Sequence, residues 1–323
     1  MKVVSSLSAA SDVLASGACV LSIGNFDGLH LGHQAILQTV VRRARELGLP
    51  AVAITFEPHP IQVLAPDKAP KRITTPARKV QLIAENGIDL LFTIRFDLEF
   101  AACSPDEFVR RYLVEGLRIR AICVGANFGF GYRQSGTVDT LRQWAQAFEL
   151  MEVQQVLLRN IPVSSTQVRK DVLEGNVTRV SRFLGRWFEL EGRIVSGAGR
   201  GRTVTVPTLN LAAENELLPR DGVYVTRIAV DDGAYLDAVT NIGVRPTFGE
   251  SQRTIETFVL QSPVPADAGR ASLQFLHRIR DEKRFDSPGQ LAEQIGRDIQ
   301  RTAKFFRLLG IIENARIQSP YSR

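Results

Sequence analysis

Cysteine is scarce in this 323-residue chain: Cys19, Cys103 and Cys123 lie far apart and form no CxxC pair. A disulfide framework is excluded, and reduced, buried thiols in a cytoplasmic protein are expected. No apolar segment approaches the roughly 20 residues that a membrane span needs, so no membrane partner is expected. A lysine and the stretch "ASGA" near the N-terminus resemble a signal peptide slightly. However, "SSLSAASD" is polar where an apolar core should run. Charge of one sign is also lacking, with 40 Lys and Arg against 34 Asp and Glu, a net +6 spread along the chain. Nucleic-acid binding shows itself as a clustered basic face, so no nucleic-acid partner is expected, whereas anionic small molecules fit. What is present is a globular composition, 44% hydrophobic and 23% charged, long enough for two domains with proper cores. No internal repeat or low-complexity tract appears.

The two halves differ in rhythm. The first alternates apolar runs with amphipathic ones. Strands are predicted over 19–24, 51–56, 89–94, 121–125 and 153–158, and helices over 32–48, 76–87, 104–116 and 138–148. Ser104 with Pro105 and Glu107 reads as a capped helix start. Such alternation implies a Rossmann-like, doubly wound parallel sheet, with ligands at the carboxyl ends of its strands. After about Leu184 the pattern becomes that of half-buried antiparallel strands: "FELEGRIV" (188–195), "GVYVTRIAV" (222–230), "AYLDAVTNIG" (234–243), "TIETFVL" and "ASLQFL". "DDG" (231–233) marks a hairpin. A final helix follows, capped by Ser287 with Pro288 and Gln290 and striped by Leu291, Ile295 and Ile299. A small antiparallel β-barrel with a closing helix is the natural packing. The expected organisation is a first domain over 1–185, a second over 186–309, and a frayed tail over 310–323.

Only four histidines occur, and two lie in "GNFDGLHLGH" (24–33), at the end of the first long strand and the opening of a helix. A helix N-terminus offers free N–H groups and partial positive charge, a setting for phosphate. Gly24, Gly28 and Gly32 let the backbone approach a nucleotide, while His30 and His33 enter the same anion site as donors. They can stabilise charge on a phosphate during transfer without a covalent bond. Two other readings compete. His30, His33 and His59 could be zinc ligands, although no Cys or acidic partner completes a set; or the two histidines are ordinary turn residues.

The stretch resembles the HxGH signature of the nucleotidylyltransferases. From about Val20 to about Phe306 the chain is similar to the bacterial bifunctional riboflavin kinase/FAD synthetase family. The resemblance implies a first domain that transfers AMP from ATP to FMN, releasing pyrophosphate, and a second that phosphorylates riboflavin to FMN. "TFEPHP" (55–60) and "RITTPARKVQLI" (72–83) resemble segments flanking the flavin and nucleotide pocket. "VGANFGFGYRQSG" (124–136) resembles the loop in which Asn127 would line the ATP site. "VSSTQVRKDVLEG" (163–175) resembles the second signature, in which Ser165, Thr166 and Arg169 would hold the β- and γ-phosphates. Hydroxyls, helix-start N–H groups and a guanidinium suit a polyphosphate. The resemblance adds Asn25, Phe26 and Asp27 to the nucleotide-binding loop, with His30, His33 and Arg169 as catalytic residues.

"GAGRGRTVTVPTLNL" (197–211) is similar to the kinase family's glycine-rich loop and PTxN motif. Gly197, Gly199, Arg200, Gly201, Arg202, Thr203 and Pro207 would then contact the nucleotide. Thr208 and Asn210 would sit on Mg²⁺–ATP, where a hydroxyl and an amide oxygen are suitable hard ligands. "NIGVRPTFG" (241–249) and "IETFVL" (255–260) resemble the segments that frame the flavin, with Glu256 as general base on the ribityl 5′-hydroxyl. The chain departs from the family at Thr205, Phe258, Gln261-Ser262 and "DAG" (267–269), all near the flavin side of the kinase site. A raised Michaelis constant for riboflavin is the expected consequence. The implied ligands are ATP, Mg²⁺, riboflavin, FMN and FAD, and the implied partners are these small molecules; the sequence sets no oligomeric state. An adenylyltransferase with a decayed kinase half and a non-catalytic flavin-binding regulator remain as alternatives. Retention of HxGH, SSTxxR, PTxN and Glu256 argues against the regulator.

Overall fold

The computed structural model describes the chain except residues 15–16, 196–207, 232, 247–250, 262–268 and 318–323. It divides into two compact units, Met1–Gln167 and Val168–Arg323.

The first unit begins with β1 (Lys2–Val4), α1 (Leu7–Val13), β2 (Val20–Ile23), α2 (Leu31–Leu47) and β3 (Ala51–Glu57). Next come α3 (Pro60–Leu64), α4 (Pro76–Glu85), β4 (Leu90–Arg95), α5 (Leu98–Ala101) and α6 (Pro105–Phe108). It ends with β5 (Ala121–Gly125), α7 (Val138–Arg142), β6 (Glu149–Val153), and the short pair β7 (Leu157–Leu158) and β8 (Ile161–Pro162). The main sheet is parallel, in the order β1-β4-β3-β2-β5-β6. The chain winds outward from β2 through β3 to β4, then returns to β2's other side as β5. The carboxyl ends of β2 and β5 therefore form the topological switch point, where sheets of this kind bind their ligands.

Burial on both faces explains why β2 is wholly buried and nearly free of polar residues. Leu37, Val40 and Ala44 of α2 pack with Val20, Ala51, Ala53 and Ala121 on one face. Leu21, Ile23, Val52, Ile54 and Phe92 meet Phe108, Val109 and Leu113 on the other.

Several expectations shift here. The helix predicted over 104–116 starts as drawn, with Ser104 Oγ accepting from Glu107 N at 3.2 Å. From Val109 to Gly116 it widens to a π-helix, and Leu117 N donates to Tyr112 O. The strand predicted over 153–158 is instead β6, at Glu149–Val153. An edge strand with one neighbour stays half exposed, so its signal is weaker than the apolar run beyond it. That run, at Leu157–Leu158, pairs with Ile161–Pro162 in a separate two-stranded sheet. The polar N-terminal stretch supplies an edge strand and a short helix that periodicity did not reveal.

In the second unit, the rest of α8 (Ser165–Glu174) and α9 (Val177–Leu184) precede six strands. These are β9 (Phe188–Val195), β10 (Leu209–Ala213), β11 (Gly222–Val230), β12 (Leu236–Pro246), β13 (Ser251–Val259) and β14 (Arg270–Arg280). They close as an antiparallel barrel in the order β10-β13-β12-β11-β14-β9. Its interior holds Phe188, Tyr224 and Phe275, plus three buried hydroxyls: Thr240 Oγ1 lies 2.7 Å from Thr226 Oγ1 and 2.9 Å from Thr257 Oγ1. Each hydroxyl thus has a partner inside the apolar barrel.

The closing helix α10 (Pro288–Ile317) starts with Ser287 Oγ accepting from Gln290 N, and it runs past Leu309. Phe305, Phe306 and Leu309 pack over Val225 and Leu276. Arg280 holds Asp298 of the helix at 2.7 Å, with side chains only 14% and 4% exposed.

Candidate active sites

The loop from Gly24 to His30 leaves β2 at the switch point and reverses tightly into α2. Phe26, Gly28 and Leu29 all have positive φ, at 49°, 77° and 39°. A Cβ on Gly28 would lie 2.9 Å from Ile73 Cδ1, so glycine is required there by both space and backbone. His30 is the N-cap of α2, and its Nδ1 accepts from His33 N at 3.3 Å. That bond places the proton of neutral His30 on Nε2, which makes Nε2 a donor. The His30 and His33 rings stack with centroids 3.7 Å apart and 17° between planes, and Phe26 meets His33 edge-on at 5.4 Å. A Cβ on Gly32 would come within 3.1 Å of the His30 ring.

Asn25 Oδ1 is buried and accepts no hydrogen bond among the described residues. Asp27 is 6% exposed and directs its carboxylate at the backbone N–H groups of Ile73 and Thr74. Ser165 Oγ donates to Asp27 O at 2.9 Å, so the start of α8 reaches this loop. Thr166 is exposed; Arg169, one turn beyond Ser165 on the same helix, belongs to the second unit. Asn127 is exposed in the loop after β5, on the other side of the switch point. His59 caps α3, with Nδ1 accepting from Ile61 N, and no cluster of three His, Cys, Asp or Glu side chains suited to a metal occurs among the described residues.

In the barrel, Asn210 of β10 stands opposite Glu256 of β13, and Glu256 stands opposite Asn241 of β12. Residues in register share a face, so Asn210, Glu256 and Asn241 form one row across three strands. Ile255, Thr257 and Val259 are buried while Glu256 and Phe258 are half-buried, so the row faces outward. Thr208 is exposed just before β10. Gly197, Gly199, Arg200, Gly201, Arg202, Thr203 and Pro207 lie outside the described residues, as do Thr205, Ser262 and positions 267–268.

Known proteins match both halves. A family model described as FAD synthetase matches residues 14–167, and one described as riboflavin kinase matches residues 184–306. The bifunctional riboflavin kinase/FMN adenylyltransferase of Escherichia coli K12 is 35% identical over 292 residues, spanning 90% of this chain and 93% of its own. The chain belongs to the bifunctional riboflavin kinase/FMN adenylyltransferases. The enzyme of the same name from Pseudomonas fluorescens is 36% identical over 284 residues, covering 87% of this chain and 91% of its own. A crystal structure from Streptococcus pneumoniae, named a macrolide-efflux protein, matches with TM-score 0.81 and 28% identity, covering 88% of this chain and 94% of that one. Efflux is said of that protein; among the described residues of this chain no helix is long and apolar enough to cross a membrane. This family member phosphorylates riboflavin to FMN with ATP, then transfers AMP from a second ATP to FMN, giving FAD and pyrophosphate.

Two features of the bifunctional enzyme escaped sequence reasoning. Asn241 completes the row with Glu256; the resemblance marked its segment, 241–249, as framing the flavin, but the register that sets Asn241 opposite Glu256 is visible only in the folded sheet. An aromatic cluster also lines the first unit: Phe56 meets Phe100 at 5.9 Å, Phe100 meets Phe108 at 6.1 Å, and Phe108 meets Phe130 at 5.9 Å. Phe128 then stacks on Phe130 at 5.3 Å. The closely spaced aromatics of "FTIRFDLEF" and "NFGFGY" were the available signal.

Proposed function

We propose that adenylyl transfer is centred on His30 and His33 in the first unit and that riboflavin phosphorylation is centred on Glu256, Thr208 and Asn210 in the second. The observation that carries the first assignment is the His33 N to His30 Nδ1 bond, because it leaves His30 Nε2 as an oriented donor at a helix N-terminus. Charge building on the α-phosphate and the departing pyrophosphate meets that donor and the first N–H groups of α2. Asn25, with its buried unsatisfied acceptor, and the exposed Asn127 and Thr166 supply the remaining polar contacts to ATP. For Arg169, contact with the β- and γ-phosphates rests on the resemblance alone. The half-exposed rings of Phe56 and Phe128 offer flat apolar surface to the isoalloxazine.

In the kinase unit, Glu256 takes the proton of the ribityl 5′-hydroxyl as that oxygen attacks the γ-phosphate. Thr208 and Asn210 would hold Mg²⁺; both are hard oxygen donors, and Asn210 is paired with the strand that carries Glu256. When bound, the ion neutralises charge on the phosphates. The glycine- and arginine-rich segment 197–203 completes the nucleotide contacts in this reading. A cytoplasmic location is part of this proposal, since the free thiols of Cys19, Cys103 and Cys123 suit a reducing compartment.

Supplying FMN, ATP and Mg²⁺ to His30→Ala and His33→Ala tests the first assignment. FAD formation is expected to fall by about 10² or more, as loss of a pre-organised donor does, with riboflavin phosphorylation retained. Loss of bound zinc from the variants, or unchanged FAD formation, would overturn it.

A further inference from the structure

The aspartate of the GNFDG loop stands within a nucleotide site yet faces away from it. Asp27 Oδ1 and Oδ2 lie 3.0 and 3.1 Å from Ile73 N, and Oδ1 lies 3.3 Å from Thr74 N and 3.4 Å from Thr74 Oγ1. Gly28 N donates to that same threonine hydroxyl at 3.4 Å. The carbonyl oxygen of Asp27 accepts from Ser165 Oγ at 2.9 Å. One residue therefore ties together three segments remote in sequence: the loop after β2, the bend before α4, and the start of α8.

We propose that Asp27 is the positioning residue of the adenylyl-transfer site, and that Ser165 serves that site as its tether. This rests on the assignment of His30 and His33 above. The loop needs such a tie, because positive φ at Phe26 and Leu29 is costly for residues with a Cβ and persists only where surroundings impose it. Three residues after Asp27, the same loop delivers His30 as the N-cap of α2. Slackening at Asp27 displaces the His30 ring from the reacting phosphate, and misplacement of about 1 Å costs roughly 10²-fold in rate.

The tie also settles two problems of charge and hydrogen-bond supply. A carboxylate open to a triphosphate would repel it; here the charge is met by backbone N–H groups. A serine hydroxyl has one proton to give, and that of Ser165 goes to Asp27 O. Ser165 is then a positioning residue, and donation to the phosphates falls to Thr166 and the helix-start N–H groups.

The test uses the full-length enzyme with saturating FMN, so that only adenylyl transfer turns over. Asp27→Asn keeps the shape but turns one acceptor into an NH₂ group facing backbone N–H. It is expected to lower kcat for FAD formation by ~10- to 10²-fold while KM for ATP changes by less than about threefold. The far-UV circular dichroism and thermal unfolding of each variant, compared with wild type, report that the first unit is folded. Ser165→Ala is expected to show the same split, Ser165→Thr to recover most of kcat, and the double variant to lose less than the product of the single losses, since both hold one loop. A raised KM for ATP with kcat intact, in either single variant, would make that residue a direct nucleotide ligand and overturn the proposal. So would losses that simply multiply. If Asp27→Asn does not fold, the Ser165→Ala split decides alone. Should His30→Ala leave FAD formation unchanged, the underlying assignment has failed; should it abolish FAD formation while Asp27→Asn is fully active, only the positioning role has.

Discussion

Replacing Glu256 with Gln keeps the side-chain volume and removes the proton acceptor. Kinase turnover is expected to fall by ~10²- to 10⁴-fold, the usual worth of a general base, while supplied FMN still becomes FAD; initial rates of both reactions on one sample check this. Burial pushes the thiols of Cys19 and Cys123 up to about 12, so at pH 8 only about 10⁻⁴ of each is thiolate. Alkylation of the native enzyme followed by peptide mapping should therefore label the half-buried Cys103 first; fast labelling of Cys19 would contradict the packing of the sheet. The placing of His30 and His33 together at a helix N-terminus was legible in the sequence, because both lie in one contiguous stretch. The use made of Asp27 was not: it reads as one more nucleotide contact until Ile73, Thr74 and Ser165 are brought to it by folding. Glu256 was singled out only through resemblance, since a strand glutamate alone is usually a solvated residue.

Among the elements, strands with a strong pattern announced themselves: β2, β3 and β11, buried on both faces, lie where apolar runs put them, and β9 lies where clean alternation put it. Edge elements did not. β1 and β6 each have one neighbour, and their half-exposed residues carry little periodic signal. The connections between elements yield two predictions. Arg45 donates to both oxygens of Asp89, holding its carboxyl below the ordinary value of 3.8 against the opposing effect of burial, and Ala51 N adds a further bond. A carboxyl depressed in the folded state stabilises above its unfolded value, and the contribution is lost as pH falls through the lower folded value. Asp89→Asn should thus lower the melting temperature at pH 7, by an amount corresponding to about 1 kcal/mol for a partly exposed pair. Its deficit against wild type should shrink below pH 3.8; a deficit independent of pH would contradict the pairing. In the barrel, Asp298→Ala leaves the Arg280 guanidinium beneath α10 without its carboxylate. A loss of about 3 kcal/mol is expected from such removal, read by urea unfolding with kinase activity as the probe.

For the whole molecule, the question is where one chemistry ends and the other begins. Val177, Val180, Phe183 and Leu184 of α9 are buried, α9 packs against β9 and β14, and Thr178 Oγ1 donates to Leu276 O. A fragment over 168–323 is therefore expected to fold alone and convert riboflavin to FMN. One over 186–323 forfeits four buried side chains worth about 1.5–3 kcal/mol each and is expected to be unstable; circular dichroism of the two fragments tells them apart. The change of rhythm near Leu184 falls later in the chain than the division between the compact units at Gln167 and Val168, because a helix's partner is invisible in its own periodicity. The central claim is that one chain performs both steps at separate sites. The most direct measurement incubates the purified full-length protein with riboflavin, ATP and Mg²⁺ and resolves flavins by chromatography over time. FMN should appear first and FAD after it, with riboflavin consumed at concentrations raised to offset Phe258 on the flavin side. FAD made from supplied FMN, with no FMN made from riboflavin at any concentration, would contradict the account and leave an adenylyltransferase carrying an inactive barrel.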